Sequence, residues 1–147
     1  MYLARRMKLK DIEEVHSIEK NTFPSPWSKD AFTNELMSNT HSIYMVIQED
    51  DTIIAYAGLW NIVGEGHITN IAVKKERRGV GFGRKITEAL IYEGKKQGIT
   101  SFTLEVRVSN ENAIKLYEKL GFEIAGLRKN FYDKPNEDAY IMWKQDL

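Results

Sequence analysis

Lys74-Lys75-Glu76-Arg77-Arg78-Gly79-Val80-Gly81-Phe82-Gly83-Arg84-Lys85 lies between an apolar run with strand character and an amphipathic run with helix character. Its glycines stand at alternate positions, 79, 81 and 83. Lacking Cβ atoms, they tolerate positive φ and close approach, so successive backbone N–H groups can converge on an anion. The stretch holds six basic residues and one acidic residue. A helix beginning near Gly83 adds unpaired amides and the positive end of its dipole at the same spot. We read the stretch as a phosphate cradle.

On its C-terminal side, Ile86, Ala89, Leu90 and Tyr92 keep helical spacing up to Gly98, a natural residue to follow a helix. Phe102, Leu104, Val106 and Val108 then alternate with Ser101, Thr103, Glu105 and Arg107, the clearest two-residue period in the chain. Strand, glycine loop, helix and strand make a βαβ unit, so its two strands are expected to run parallel. Asn110 is placed to cap a further helix with Ala113, Leu116, Tyr117 and Leu120 on one face and Gly121 at its end. Residues 122–127 and 139–144 read as two more strands, joined by a polar loop containing Pro135 and Asn136.

On its N-terminal side the pattern is a meander. Residues 43–48 and 52–62 flank the polar turn Glu49-Asp50-Asp51, and Gly64-Glu65-Gly66 turns the chain into a third strand over 67–74. Residues 2–6 suit a first strand. Asp11 and Glu14 have capping-box spacing for a helix carrying Ile12, Val15 and Ile18. Phe23-Pro24-Ser25-Pro26-Trp27 must break that helix, and Ser28 is placed to cap the next, with Phe32 and Leu36. This aromatic turn, Trp27 included, serves either as core packing or as a wall for a substrate. The expected class is mixed α+β: a mostly antiparallel sheet with one parallel pair, in one domain over residues 1–147.

The 21 basic and 21 acidic side chains cancel, so no global field draws nucleic acid or anionic lipid, and anion binding must be local. There is no cysteine, which removes disulfides, thiol nucleophiles and cysteine-ligated metals. The N-terminus lacks a signal-peptide core, and the longest apolar run, 53–60, is too short to span a bilayer. We expect a cytoplasmic protein. His16, His41 and His67 lack ligand-like spacing and read as structural residues, with no metal expected.

Three phosphate-binding patterns compete for the glycine stretch. A dinucleotide fingerprint needs glycine where Arg84 stands, and a P-loop needs Gly-Lys-Ser or Gly-Lys-Thr, which is absent. Arg78-x-x-Gly81-x-Gly83 instead resembles the acetyl-CoA-binding motif of the GNAT acetyltransferase superfamily. The order of elements agrees. Leu104-Glu105-Val106-Arg107-x-x-Asn110-x-x-Ala113-x-x-Leu116-Tyr117-x-x-x-Gly121-Phe122 is similar to that family's later motif. Arg128-x-x-x-Tyr132, Glu137-Asp138-Ala139-x-x-Met142 and the Phe23–Ser28 turn resemble its RimI-type branch, which acetylates the N-terminal alanine of a ribosomal small-subunit protein.

The resemblance implies a GNAT fold, with helices on both faces and the parallel pair splayed around acetyl-CoA. It implies backbone contacts from Ile71, Ala72 and Val73 to the pantetheine arm, and amides of Gly79, Val80, Gly81, Phe82, Gly83 and Arg84, beside Arg78, on the pyrophosphate. It also places Asn110 on the cofactor, although Asn110 serves equally as a helix cap. Glu105 becomes the base that takes the amine proton, against its plain reading as an exposed strand carboxylate. At a usual pKa of about 4.3 that role needs a raised pKa or a water relay. Tyr117 becomes the acid for the departing thiolate, and also suits the core. Tyr132, expected in the loop between the last two strands, is a substrate contact or a surface tyrosine.

An α-amine of pKa about 8 is roughly one-tenth neutral at pH 7, and a lysine amine of about 10.4 is below ~0.1% neutral, so an N-terminal acceptor asks less of the base. The resemblance to the RimI-type branch implies that the acceptor is the N-terminus of a ribosomal protein, alanine first. The alternatives are a small-molecule amine or internal lysine, or a silent CoA-binding module, which the presence of both Glu105 and Tyr117 speaks against.

Overall fold

The computed structural model describes residues 1–145. Its strands are β1 (Tyr2–Arg6), β2 (Ser42–Glu49), β3 (Thr52–Ile62), β4 (Glu65–Val73), β5 (Ser101–Arg107), β6 (Glu123–Asp133) and β7 (Asn136–Gln145). The helices between them are α1 (Ile12–Thr22), α2 (Lys29–Met37), α3 (Phe82–Lys96) and α4 (Glu111–Lys119). One sheet results, ordered β1-β2-β3-β4-β5-β7-β6, in which β4–β5 is parallel and every other neighbouring pair antiparallel. The parallel pair is the one that the glycine stretch predicts, and no helix among the described residues is long and apolar enough to cross a membrane.

Alternation along β2 explains why helices cover both faces. Ile43, Met45 and Ile47 point into a cluster with Ile86 and Leu90 of α3 and Tyr117 of α4. Tyr44 and Val46 point the other way, into a cluster with Val15 and Ile18 of α1 and Phe32 of α2. Tyr92, which the helical spacing also admits, is exposed, and Ile91 takes the buried place.

Local signals held where the chain makes its own contacts. The Ser28 side chain accepts from the Ala31 N–H at 3.1 Å, and Asn110 Oδ1 accepts from the Ala113 N–H at 3.2 Å, so both caps form as expected. The predicted Asp11–Glu14 box does not form. Asp11 accepts from the Lys8 N–H at 2.8 Å and pairs with Arg5 at 2.7 Å, while Glu14 accepts from the Ile53 N–H at 2.9 Å. A charge-assisted pair with arginine outcompetes the weaker cap. The last two strands run further than predicted and meet in a tight hairpin, with Tyr132 opposite Glu137 and Asp133 opposite Asn136. Tyr132 is therefore on a strand and not in a loop.

The parallel pairing is short. It joins Glu65 to Ser101, Gly66 to Phe102 and His67 to Thr103. The Phe102 ring fits there because a Cβ on Gly66 would lie 2.8 Å from it, and one on Gly94 2.9 Å. Just beyond, the β3–β4 register shifts from Leu59↔Ile68 to Gly58↔Asn70, which leaves Thr69 as a bulge. A bulge bends its strand and increases the twist. Past His67, β4 and β5 are no longer paired, and a cleft opens between them.

Candidate active site

On one side of the cleft the chain offers backbone. Gly79 and Gly81 have φ of +81° and +97°, in the left-handed region, and a Cβ on either would meet nothing within 4 Å. Gly81 caps α3, and the first bond into the helix runs from the Lys85 N–H to Gly81 O at 3.1 Å. The amides of Phe82, Gly83 and Arg84 therefore precede the ladder and are available to an anion. The helix begins one residue before the expected Gly83. Gly83 itself is helical, and its missing Cβ matters for packing, since that atom would stand 3.4 Å from Leu116 of α4.

The basic side chains around this cradle are largely engaged elsewhere. Arg78 donates to Val73 O at 2.9 Å and to Thr22 Oγ1 at 3.1 Å, which ties the loop to the end of β4. Arg77 pairs with Glu49 at 2.6 Å, Arg84 lies 3.6 Å from Glu88, and Lys85 covers the Tyr2 ring at 4.6 Å. Val80 is exposed and Phe82 is buried, so these two residues can present only backbone to a phosphate. The open glycine turn, the free helix amides and the edge of β4 that lacks a strand partner beside Ile71, Ala72 and Val73, where Val73 O already accepts from Arg78, together fit a pyrophosphate with an extended arm.

On the other side the chain offers side chains. A cleft of about 570 Å³ is bounded by the α1–α2 turn, β4, the end of β5, α4 and the β6–β7 hairpin, and Trp27, Asn70, Glu105, Asn110, Tyr117 and Tyr132 all line it. The bulge contributes: Ile68 and Ile71 pack toward α3 and α4, whereas Asn70 reaches Glu19 of α1.

Glu105 alternates with the buried Leu104 and Val106, so the strand period turns it away from the α3 side. Its Oε1 lies 2.8 Å from His67 Nε2, and its Oε2 lies 3.7 Å from Arg128 Nε. The His67 hydrogen bond, reinforced by the charges of His67 and Arg128, outweighs burial and holds the Glu105 carboxyl below the usual range. A raised pKa, one of the two routes by which a glutamate serves as base, is thus absent. His67 is the residue that reading the sequence missed. It is a partner of the candidate base, and only the pairing of Gly66 with Phe102 and His67 with Thr103 reveals that.

Tyr117 is 9% exposed, its ring 5.9 Å from Phe122. Burial first, and then the neighbouring Tyr132, push its hydroxyl up to about 12. Tyr117 belongs to the core cluster and also lines the cleft. Tyr132 lies under the Arg107 guanidinium at 4.2 Å and against Phe131 at 4.9 Å, and burial outweighs Arg107 in raising its pKa. Glu137 ties this hairpin to β5 through Arg107 at 3.1 Å and the Ser109 N–H at 2.8 Å. Trp27 packs on Phe32 at 5.4 Å while lining the cleft, so it is both core and wall. Asn110 spends its oxygen on the cap and keeps its NH2 for another acceptor.

Comparison with known proteins places this geometry. The profile of the Acetyltransferase (GNAT) family matches residues 12–122. A Bacillus subtilis protein provisionally named as a [ribosomal protein bS18]-alanine N-acetyltransferase is 42% identical over 140 residues, 95% of this chain and 93% of that one. The Escherichia coli K12 protein of that name is 37% identical over 136 residues, 90% of this chain and 89% of the relative. The crystal structure of the ribosomal-protein-S18-alanine N-acetyltransferase from E. coli superposes with a TM-score of 0.91 at 31% identity, covering 100% of this chain and 96% of that one.

Proposed function

The chain belongs to the acetyltransferase (GNAT) family and is an acetyl-CoA-dependent N-acetyltransferase, and we propose that its acceptor is the N-terminal amine of a ribosomal small-subunit protein, alanine first. The observation that carries this reading is the cleft, where a carboxylate and a protected phenol open onto one passage walled by the α1–α2 turn and the β6–β7 hairpin. Such a passage suits an extended peptide end.

Acetyl-CoA supplies the electrophile, a thioester carbonyl. The Gly79–Arg84 backbone and the Asn110 amide hold it, and the open edge of β4 aligns its arm. Glu105, ionised throughout the neutral range, receives the amine proton through a bridging water, the route that its lowered pKa leaves open. His67 holds Oε1 and so fixes the direction of the carboxylate. The Tyr117 hydroxyl remains protonated and gives its proton to the leaving sulfur. A phenol of pKa about 12 is a weak acid for a thiol of about 8.5, but a thiolate in the same dry pocket is raised by the same desolvation, so the mismatch narrows. We place the protein in the cytoplasm as one catalytic domain, with the peptide end as its macromolecular contact.

The test is thiol release from acetyl-CoA with peptides whose N-termini are free or blocked, alongside polyamines and lysine-containing blocked peptides. Turnover that requires a free N-terminus and peaks with alanine first is expected. Turnover on small amines or internal lysines alone overturns the substrate, and saturable CoA binding with no transfer to any acceptor overturns the reaction.

A further inference from the structure

His67 closes the parallel ladder, and its ring lies where β4 and β5 begin to part. An imidazole there can swing about two side-chain torsions, so its grip on Glu105 depends on what packs against it. That neighbour is Trp60 of β3, directly opposite His67 in the antiparallel register. The two rings meet nearly at right angles, with centroids 6.1 Å apart and planes at 82°. Aromatic pairs favour such an arrangement.

The indole is itself anchored. Its N–H donates to Oε1 of Glu35 on α2. The same oxygen accepts from the Tyr44 hydroxyl at 2.8 Å, and Oε2 accepts from the Asn39 NH2 at 3.0 Å. The Tyr44 hydroxyl also lies 3.3 Å from Oγ1 of Thr69, the bulge residue. Its ring can cross β3 only because position 58 is glycine, where a Cβ would stand 2.0 Å from that ring. One carboxyl group on α2 thus receives the indole beside His67 and the phenol beside the bulge. Plain packing would be served by any large apolar side chain at position 60. An indole tethered by its N–H has its plane fixed, and with it the surface that His67 meets.

We propose that Trp60 is a positioning residue for the base: tethered by Glu35, it holds the His67 imidazole in the orientation in which Nε2 meets Glu105 Oε1 at 2.8 Å. The inference rests on the acetyl-transfer reading of Glu105. Neither Trp60 nor Glu35 lines the cleft, so neither can touch the peptide or the thioester there. Their influence on the reaction runs through the direction of the Glu105 carboxyl group, where a small misplacement is costly in rate. It should therefore appear in kcat, and only while His67 is present.

The test is a double-mutant cycle on kcat. Trp60→Leu and Glu35→Ala are each expected to lower kcat by about fivefold in the wild-type background, with the acetyl-CoA dissociation constant within about twofold. In a His67→Ala background the same substitutions are expected to change kcat by less than about 1.5-fold. Trp60→Phe keeps an aromatic ring against His67 and is expected to retain more of the rate than Trp60→Leu. Glu35 is half-buried on α2, so its variant keeps the cycle readable should Trp60→Leu not fold. Equal losses with and without His67 would mark a general packing role and overturn the assignment, as would a Trp60→Leu enzyme as active as wild type. A His67→Ala enzyme with wild-type kcat overturns this inference and leaves acetyl transfer standing. A wild type that acetylates no acceptor overturns the reaction, and this inference with it.

Discussion

Gly79, Gly81 and the first turn of α3 present free amides from one contiguous piece of chain, whereas Asn70, Glu105, Tyr117 and Tyr132 line the cleft from β4, β5, α4 and β6, with His67 behind Glu105. The two halves solve different problems. An anion is held by any set of convergent N–H groups, so a short loop with two left-handed glycines suffices. Moving a proton needs particular groups at particular distances, and those are assembled only when strands and helices pack. The backbone half should therefore tolerate side-chain changes but not glycine changes, and the side-chain half should lose turnover without losing acetyl-CoA.

The sharpest break is Gly81→Glu. A side chain at φ +97° is strained by about 1–2 kcal/mol, and a carboxylate would face the phosphates, so acetyl-CoA affinity should fall by about 100-fold or more in calorimetry. Affinity within about threefold of wild type would mean that the cradle lies elsewhere.

Next come the two groups proposed to move protons. Glu105→Gln and Tyr117→Phe should each lower kcat by about 10²–10³, with the acetyl-CoA dissociation constant within about twofold. A Tyr117→Phe enzyme as active as wild type would return that residue to the core alone. Both variants losing acetyl-CoA binding would erase the distinction between the halves.

His67→Ala should have a smaller effect, about tenfold in kcat, because it orients the carboxylate and does not react. Removing its hydrogen bond lets the Glu105 pKa rise toward normal. In wild type, log kcat/KM should climb with the peptide's α-amine to a plateau near pH 8 and show no Glu105 limb above about pH 5. An acidic limb that appears between pH 5 and 6 already in wild type would contradict the lowered carboxylate.

The smallest effect is on stability. Folding lowers the Glu105 pKa, so the stabilisation it brings is complete above the unfolded value of about 4.3 and drains as the pH falls through the lower folded value. Melting temperature measured from pH 6 to pH 3 should accordingly fall more steeply in wild type than in Glu105→Gln. Parallel curves would show that the His67 contact does not outlive solvent competition.

This division is also where reading the residues succeeded and where it stopped. The alternating glycines, the two-residue period of β5 and the Ser28 and Asn110 caps are local, and each appears in the structure at its expected place. The length of the β6–β7 hairpin was not legible, because exposed polar strands carry little periodicity; hence Tyr132 moved from loop to strand. Glu105 was found through its strand period and the family's motif, but the direction of its pKa was not, since that depends on His67, 38 residues away in the chain.

What the sequence by itself determined is the order of elements, the crossover that makes β4 and β5 parallel, and the glycine turn that opens α3, all of which follow from local spacing and from the order of neighbouring elements along the chain. What only the tertiary structure decided is which side chains meet across the splay: His67 with Glu105, Asn70 with Glu19, Arg107 with Tyr132. The reason is register. The three-residue parallel ladder and the Thr69 bulge fix which face each side chain takes, and neither is written in a local pattern.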